Sequence, residues 1–203
     1  SRYVAVDISV DFLRNAPACL QRQFPAMDMV GLGLDFSAGL SLPEEAAPEG
    51  QPRVLFYPGS SIGNFTPAEA LVFLRTVHTA CGTAPGSGLL IGVDLVKDVA
   101  ELEAAYDDAL GVTAAFNLNL LLHINRTLGT DFHVRDWAHV ALFNTTDSRI
   151  EMHLQARHTQ TVRWPGGART FTGGERIHTE NSYKWTLPGF QALLAEAGFV
   201  ATQ

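Results

Sequence analysis

Two aspartates, each placed just after an apolar run, are the first side chains whose type and position suggest chemistry. Asp7 follows the run at residues 3–6, and Asp35 follows residues 29–32. Ligands of open parallel sheets bind at the carboxyl ends of the strands, and a carboxylate there can accept from both hydroxyls of a ribose. Asp7 is therefore the candidate for a ribose and Asp35 for an adenine. For either residue taken alone, capping the next helix is the competing role.

Two further stretches could hold a small ligand. Gly59-Ser60-Ser61-Ile62-Gly63-Asn64 lacks the Gly-Lys-Ser/Thr ending of a phosphate loop, which disfavours a nucleoside triphosphate. Such a turn can bring backbone and the Asn64 amide close to a ligand, or it can simply join a strand to a helix. Thr179-Glu180-Asn181-Ser182 is dense in polar groups, and the pattern alone favours a solvated turn. Cys19 and Cys81 fall in helical stretches without metal-ligand spacing, so buried free thiols and no metal site are expected.

The elements that must position these residues alternate between strand and helix over the first half of the chain. Strands are expected at residues 3–6, 29–32, 54–57 and 89–94, the last also ending in an acid, with a loop over residues 40–52. Ser9 offers a helix cap. Thr66-Pro67-Ala68-Glu69 combines a cap, a first-turn proline and a capping-box glutamate. This is the βαβ rhythm of a parallel sheet.

Beyond Asp94 the rhythm changes. Two helical stretches, 99–110 and 113–128, follow one another without a strand between them. Residues 149–155 then alternate, with Ile150, Met152 and Leu154 on one face and Glu151, His153 and Gln155 on the other. Residues 159–164 and 169–171 read as a hairpin around Pro165-Gly166-Gly167, and residues 187–198 as a closing helix.

Composition bounds the partners. With 46% hydrophobic residues and a formal net charge of -7, the chain has material for a full core and no basic stripe for a phosphate backbone. Nucleic acid is not an expected partner. No apolar run approaches the ~20 residues of a membrane span and no leader opens the sequence, so a cytoplasmic protein without a membrane partner is expected. The apolar run that begins at Tyr3 and the one that ends the sequence at Gln203 read as a fold cut at both ends.

Several strings taken together resemble a known family. Asp7-Ile8-Ser9, the segment from Gly59 to Phe65, Ala105-Tyr106-Asp107-Asp108, the segment from Gly111 to Asn117, Ile150-Glu151-Met152-His153-Leu154 and the segment from Ile177 to Lys184 occur in order along the chain. They are similar to the histidine-specific methyltransferases of ergothioneine biosynthesis. The resemblance implies an α/β fold. A Rossmann-like methyltransferase sheet, truncated at both ends, would occupy residues 1–95 and 184–203, with an inserted α+β substrate-binding domain over 96–183.

It further implies S-adenosyl-L-methionine as cofactor, with Asp7 on its ribose and Asp35 and Phe36 at its adenine. The glycine-rich loop for the methionine part, and an aromatic contact to the substrate amine, would precede Ser1. Asn64 and Tyr106 would bind the amino-acid backbone of histidine, with Tyr106 as the catalytic residue. Glu180 and Ser182, with Asn181 between them, would meet the imidazole, while Gly59, Phe116 and Met152 would line the pocket.

The implied reaction is trimethylation of the histidine α-amino group to hercynine by a monomer. The competing activity is N-methylation of another amino acid such as a tryptophan derivative, for which an apolar residue in place of Glu180 is expected. A non-catalytic ligand-binding fragment is the alternative of another class.

Overall fold

The computed structural model describes residues 2–36 and 39–202 and divides into two compact units. The first comprises Ser1–Pro58, Pro67–Gly92 and Gln191–Gln203, the second Gly59–Thr66 and Val93–Phe190.

In the first unit, β1 (Arg2–Asp7) ends where Ser9, in an extended conformation, accepts the Phe12 N–H on its hydroxyl and opens α1 (Val10–Gln23). The helix carries the chain over to β2 (Asp28–Gly33), which lies parallel to β1 with Asp7 opposite Gly33. The pattern repeats with β3 (Val54–Tyr57), α2 (Pro67–Cys81) and β4 (Gly88–Ile91), the two strands again parallel. α2 begins on Pro67, where a missing N–H breaks no helical bond, and buries Ala70, Leu74 and Val77 on one face. Cys81 is buried as expected, whereas Cys19 is exposed because it lies on the outer face of α1.

β4 stops at Ile91, so Asp94 does not end a strand. Its backbone N–H goes instead to the Ser60 hydroxyl at 2.7 Å, within the second unit.

The second unit holds α3 (Val99–Tyr106), α4 (Val112–Leu128), β5 (Trp137–Asn144), β6 (Arg149–Ala156), β7 (Gln160–Trp164), β8 (Gly167–Phe171) and β9 (Arg176–Tyr183), after which α5 (Leu187–Glu196) begins. α3 is shorter than its apolar pattern suggests. Asp107 leaves helical geometry, and the Asp108 carboxylate accepts the N–H groups of Val112 and Thr113, which starts α4 afresh.

β5, β6 and β9 form an antiparallel sheet in that order, and β7 and β8 pair as the expected hairpin. One apolar cluster joins Leu121 of α4 to Trp137, Leu154, Val162 and Phe171, and a second joins Leu102 of α3 to Ile150 and Met152. The alternation of β6 thus buries its Ile150, Met152 and Leu154 face under the two helices. The stretch at residues 179–182 is not a turn: it lies inside β9, with Ser182 buried.

Candidate active site

The second unit gathers most of the polar residues singled out in the sequence. β9 pairs with β6 so that Ser182 stands opposite Ile150 and Glu180 opposite Met152. Alternation along β9 puts Glu180 and Ser182 on one face and Asn181, whose partner is Glu151, on the other. Asn181 therefore does not share their face, and its Oδ1 is buried without a partner among the described residues.

Ser182 is held from several sides. Its Oγ lies 2.8 Å from Tyr106 Oη, and the two hydroxyls share a hydrogen bond. Lys184 Nζ donates to both oxygens, at 2.8 Å each, and pairs with Asp94 Oδ2 at 3.0 Å. It also sits 4.6 Å from the centroid of the Tyr106 ring. Burial pushes the Asp94 carboxyl up, but the ammonium groups of Lys97 and Lys184 outweigh it and leave it below its ordinary value.

A third support reaches the backbone of Tyr106. Buried Asn117 donates from Nδ2 to His139 Nδ1 and to the His153 carbonyl, so His139 is left to donate from Nε2 to the Tyr106 carbonyl at 2.8 Å. The end of α3 is thereby tied to the sheet.

Gly63 explains why the 59–66 segment belongs to this unit. A Cβ there would lie 2.9 Å from the Tyr183 carbonyl oxygen and 3.3 Å from Ser182 Oγ, so only glycine permits the approach. Asn64, the next residue, is exposed at the end of the 3-10 turn Ser61–Asn64. Gly59 has a left-handed φ of 76° and open space where a Cβ would stand. Phe116 is exposed on α4, one residue before Asn117.

Glu180 differs from its neighbours. It is half-buried, no hydrogen bond or ion pair reaches its carboxylate among the described residues, and burial alone pushes its carboxyl above the ordinary value. Such a group awaits an N–H donor or a cation.

In the first unit, Asp7 at the end of β1 accepts the Ser9 N–H on Oδ1 at 2.8 Å, and its second oxygen has no partner among the described residues. Asp35 lies two residues beyond β2. The Phe36 ring meets Tyr57 and Phe73, with centroids 5.9 and 6.2 Å away, so Phe36 is also a packing residue.

The sequence did not single out Lys184, His139 or Asp94 as members of the site. Lys184 ends one of the strings that carry the resemblance, and its interior position follows from tertiary contacts. On the far face of the sheet, Glu151, His153 and His178 come within 4.8 Å of one another, and the two histidine rings stack at 4.7 Å. A register shift between Met152 and His153 brings His178 opposite His153. Arg149 already pairs with the Glu151 carboxylate at 2.7 Å, which opposes a cation at this cluster.

A family model described as histidine-specific methyltransferase, SAM-dependent, matches residues 1–203. The chain belongs to that family. It is 40% identical over 203 residues to the histidine N-alpha-methyltransferase of Mycolicibacterium smegmatis, covering 99% of this chain and 61% of that protein. The histidine N-alpha-methyltransferase of Mycobacterium tuberculosis is 40% identical over 199 residues, 97% of this chain and 60% of its own length. Ergothioneine biosynthesis protein 1 of Neurospora crassa is 29% identical over 199 residues, 97% of this chain and 22% of its own length. The chain thus spans about three fifths of the histidine methyltransferases it matches. Among the described residues no helix is long and apolar enough to cross a membrane.

Proposed function

We propose that the protein carrying this chain transfers methyl groups from S-adenosylmethionine to the α-amino group of histidine, yielding the trimethylated amino acid from which ergothioneine is made. The observation that carries this reading is the half-buried carboxylate of Glu180, without a partner among the described residues, two residues from Ser182 on one strand face. A neutral imidazole has one N–H and one bare nitrogen, and a carboxylate beside a hydroxyl can serve both. A tryptophan side chain would satisfy only one of them.

Tyr106 and Asn64 bind the amino-acid backbone in this reading, with Gly59, Phe116 and Met152 as lining. Tyr106 is the catalytic residue: it orients the amine, and its π face favours the positive charge that accumulates on nitrogen. Asp7 fits a ribose, since one carboxylate oxygen is taken by Ser9 and the other has no partner among the described residues. Asp35 and Phe36 flank the adenine. S-adenosylmethionine supplies the methyl group as a sulfonium electrophile, so the protein's task is alignment and no nucleophile of its own is required.

Calorimetry on the full-length protein with S-adenosylhomocysteine present tests the reading. Histidine should bind and tryptophan should not. Absence of histidine binding would withdraw the substrate, and preferential binding of tryptophan would favour the related N-methyltransferase activity.

A further inference from the structure

We propose that Lys184 is a positioning residue that fixes the hydrogen-bond polarity of the Tyr106–Ser182 pair, so that the pair offers a donor to the ring of the substrate and selects rings with an unprotonated nitrogen. The inference rests on the reading of histidine as substrate and adds what sets the sense of its recognition.

Counting hydrogens fixes the sense of each bond. An ammonium group has three N–H donors and no acceptor. Lys184 Nζ has three oxygen partners at bonding distance: Asp94 Oδ2 at 3.0 Å, and Tyr106 Oη and Ser182 Oγ at 2.8 Å each. Its side chain is 0% exposed, so water does not compete for these bonds. Both hydroxyl oxygens therefore accept from Lys184.

The bond between the two hydroxyls consumes one of their two hydrogens. The other hydrogen has no acceptor among the described residues and is available to a ligand. When Tyr106 donates to Ser182, the serine oxygen has accepted twice, and its own O–H can only donate outward. Glu180, on the same strand face, offers an acceptor. One acceptor and one donor two residues apart match a single neutral tautomer of imidazole. Without Lys184 the hydroxyls turn freely, and the pair can accept as readily as donate.

The test uses the full-length protein and compares kcat/KM for histidine with that for β-(2-pyrrolyl)alanine and β-(3-pyrrolyl)alanine, which keep an N–H but replace the bare nitrogen by C–H. The native protein should prefer histidine over the better analogue by at least ~100-fold, since a site built around a hydrogen bond rejects ligands lacking it strongly. Lys184→Met should raise the KM for histidine, cut that preference by at least ~10-fold and leave S-adenosylhomocysteine affinity within about twofold. In a Ser182→Ala background the same substitution should add little, as expected for residues acting through one network.

Tyr106→Phe supplies the check should Lys184→Met fail to fold. Lys184 still donates to Ser182 there, so one serine lone pair stays occupied and the serine keeps its hydrogen for the ring nitrogen; the preference for histidine over the analogues should fall less than in Ser182→Ala, even as turnover falls. An unchanged preference in folded Lys184→Met, or a preference lost in Tyr106→Phe as fully as in Ser182→Ala, overturns the proposal. A native protein that does not accept histidine refutes the substrate reading itself, which is a separate outcome.

Discussion

Glu180 and Met152 are register partners across the β6–β9 ladder, a carboxylate set directly opposite a thioether on one face of the sheet. Paired positions of this kind bring Cβ atoms to roughly 5 Å. Met152 is buried and Glu180 half-buried, so the carboxylate lies against apolar surface, and among the described residues no group compensates it.

That placement makes Glu180 a burden on the fold in the absence of ligand, with a definite pH dependence. Burial raises its folded pKa above the unfolded value, about 4.3 for a glutamate. Below that value both states are protonated and nothing is lost. As pH rises through the folded pKa, the folded state gives up its proton less readily than the unfolded one, and stability falls. Glu180→Gln should therefore raise the melting temperature relative to the native protein at pH 7 and bring no such gain at pH 4. A difference that stays constant between these pH values would mean that the carboxylate is paired.

Asp7 affords a separable test of the cofactor assignment. Asp7→Ala should weaken S-adenosylhomocysteine binding on the order of 10- to 100-fold, as expected for charge-assisted hydrogen bonds worth about 1.5 to 3 kcal/mol. Asp7→Asn retains an oxygen for the Ser9 N–H and should lose less. Histidine discrimination should be untouched in both. If Asp7→Ala degrades cofactor and histidine recognition equally while Asp7→Asn behaves as the native protein, the role of Asp7 is to cap α1.

Local signals made much of the first unit legible. Ser9 caps α1, Pro67 opens α2, the short apolar runs carry their own period, and β3 occupies the expected residues 54–57. The second unit is less legible. β5 escaped because its residues are largely shielded on both faces, leaving no polar alternation to see. β9 escaped because Thr179-Glu180-Asn181-Ser182 has the composition of a turn, and its strand conformation comes from pairing with β6.

The site shows the same division. Tyr106, Glu180 and Ser182 stand in strings that carry the family resemblance, while Lys184 and His139 reach Tyr106 through contacts across 78 and 33 residues of sequence. Asn64 stands in another of those strings, and its place in the second unit follows from packing, where Gly63 meets β9.

The central claim, that Glu180 confers histidine specificity, is tested most directly by turnover of Glu180→Ala in the full-length protein with histidine and tryptophan as competing substrates. Histidine kcat/KM should fall on the order of 100-fold, matching the loss of one charge-assisted hydrogen bond of up to about 3 kcal/mol. Relative preference should move toward tryptophan, whose indole has a donor and no acceptor and can use the volume vacated beside Met152. Native histidine kinetics with the same substrate ranking would contradict the account.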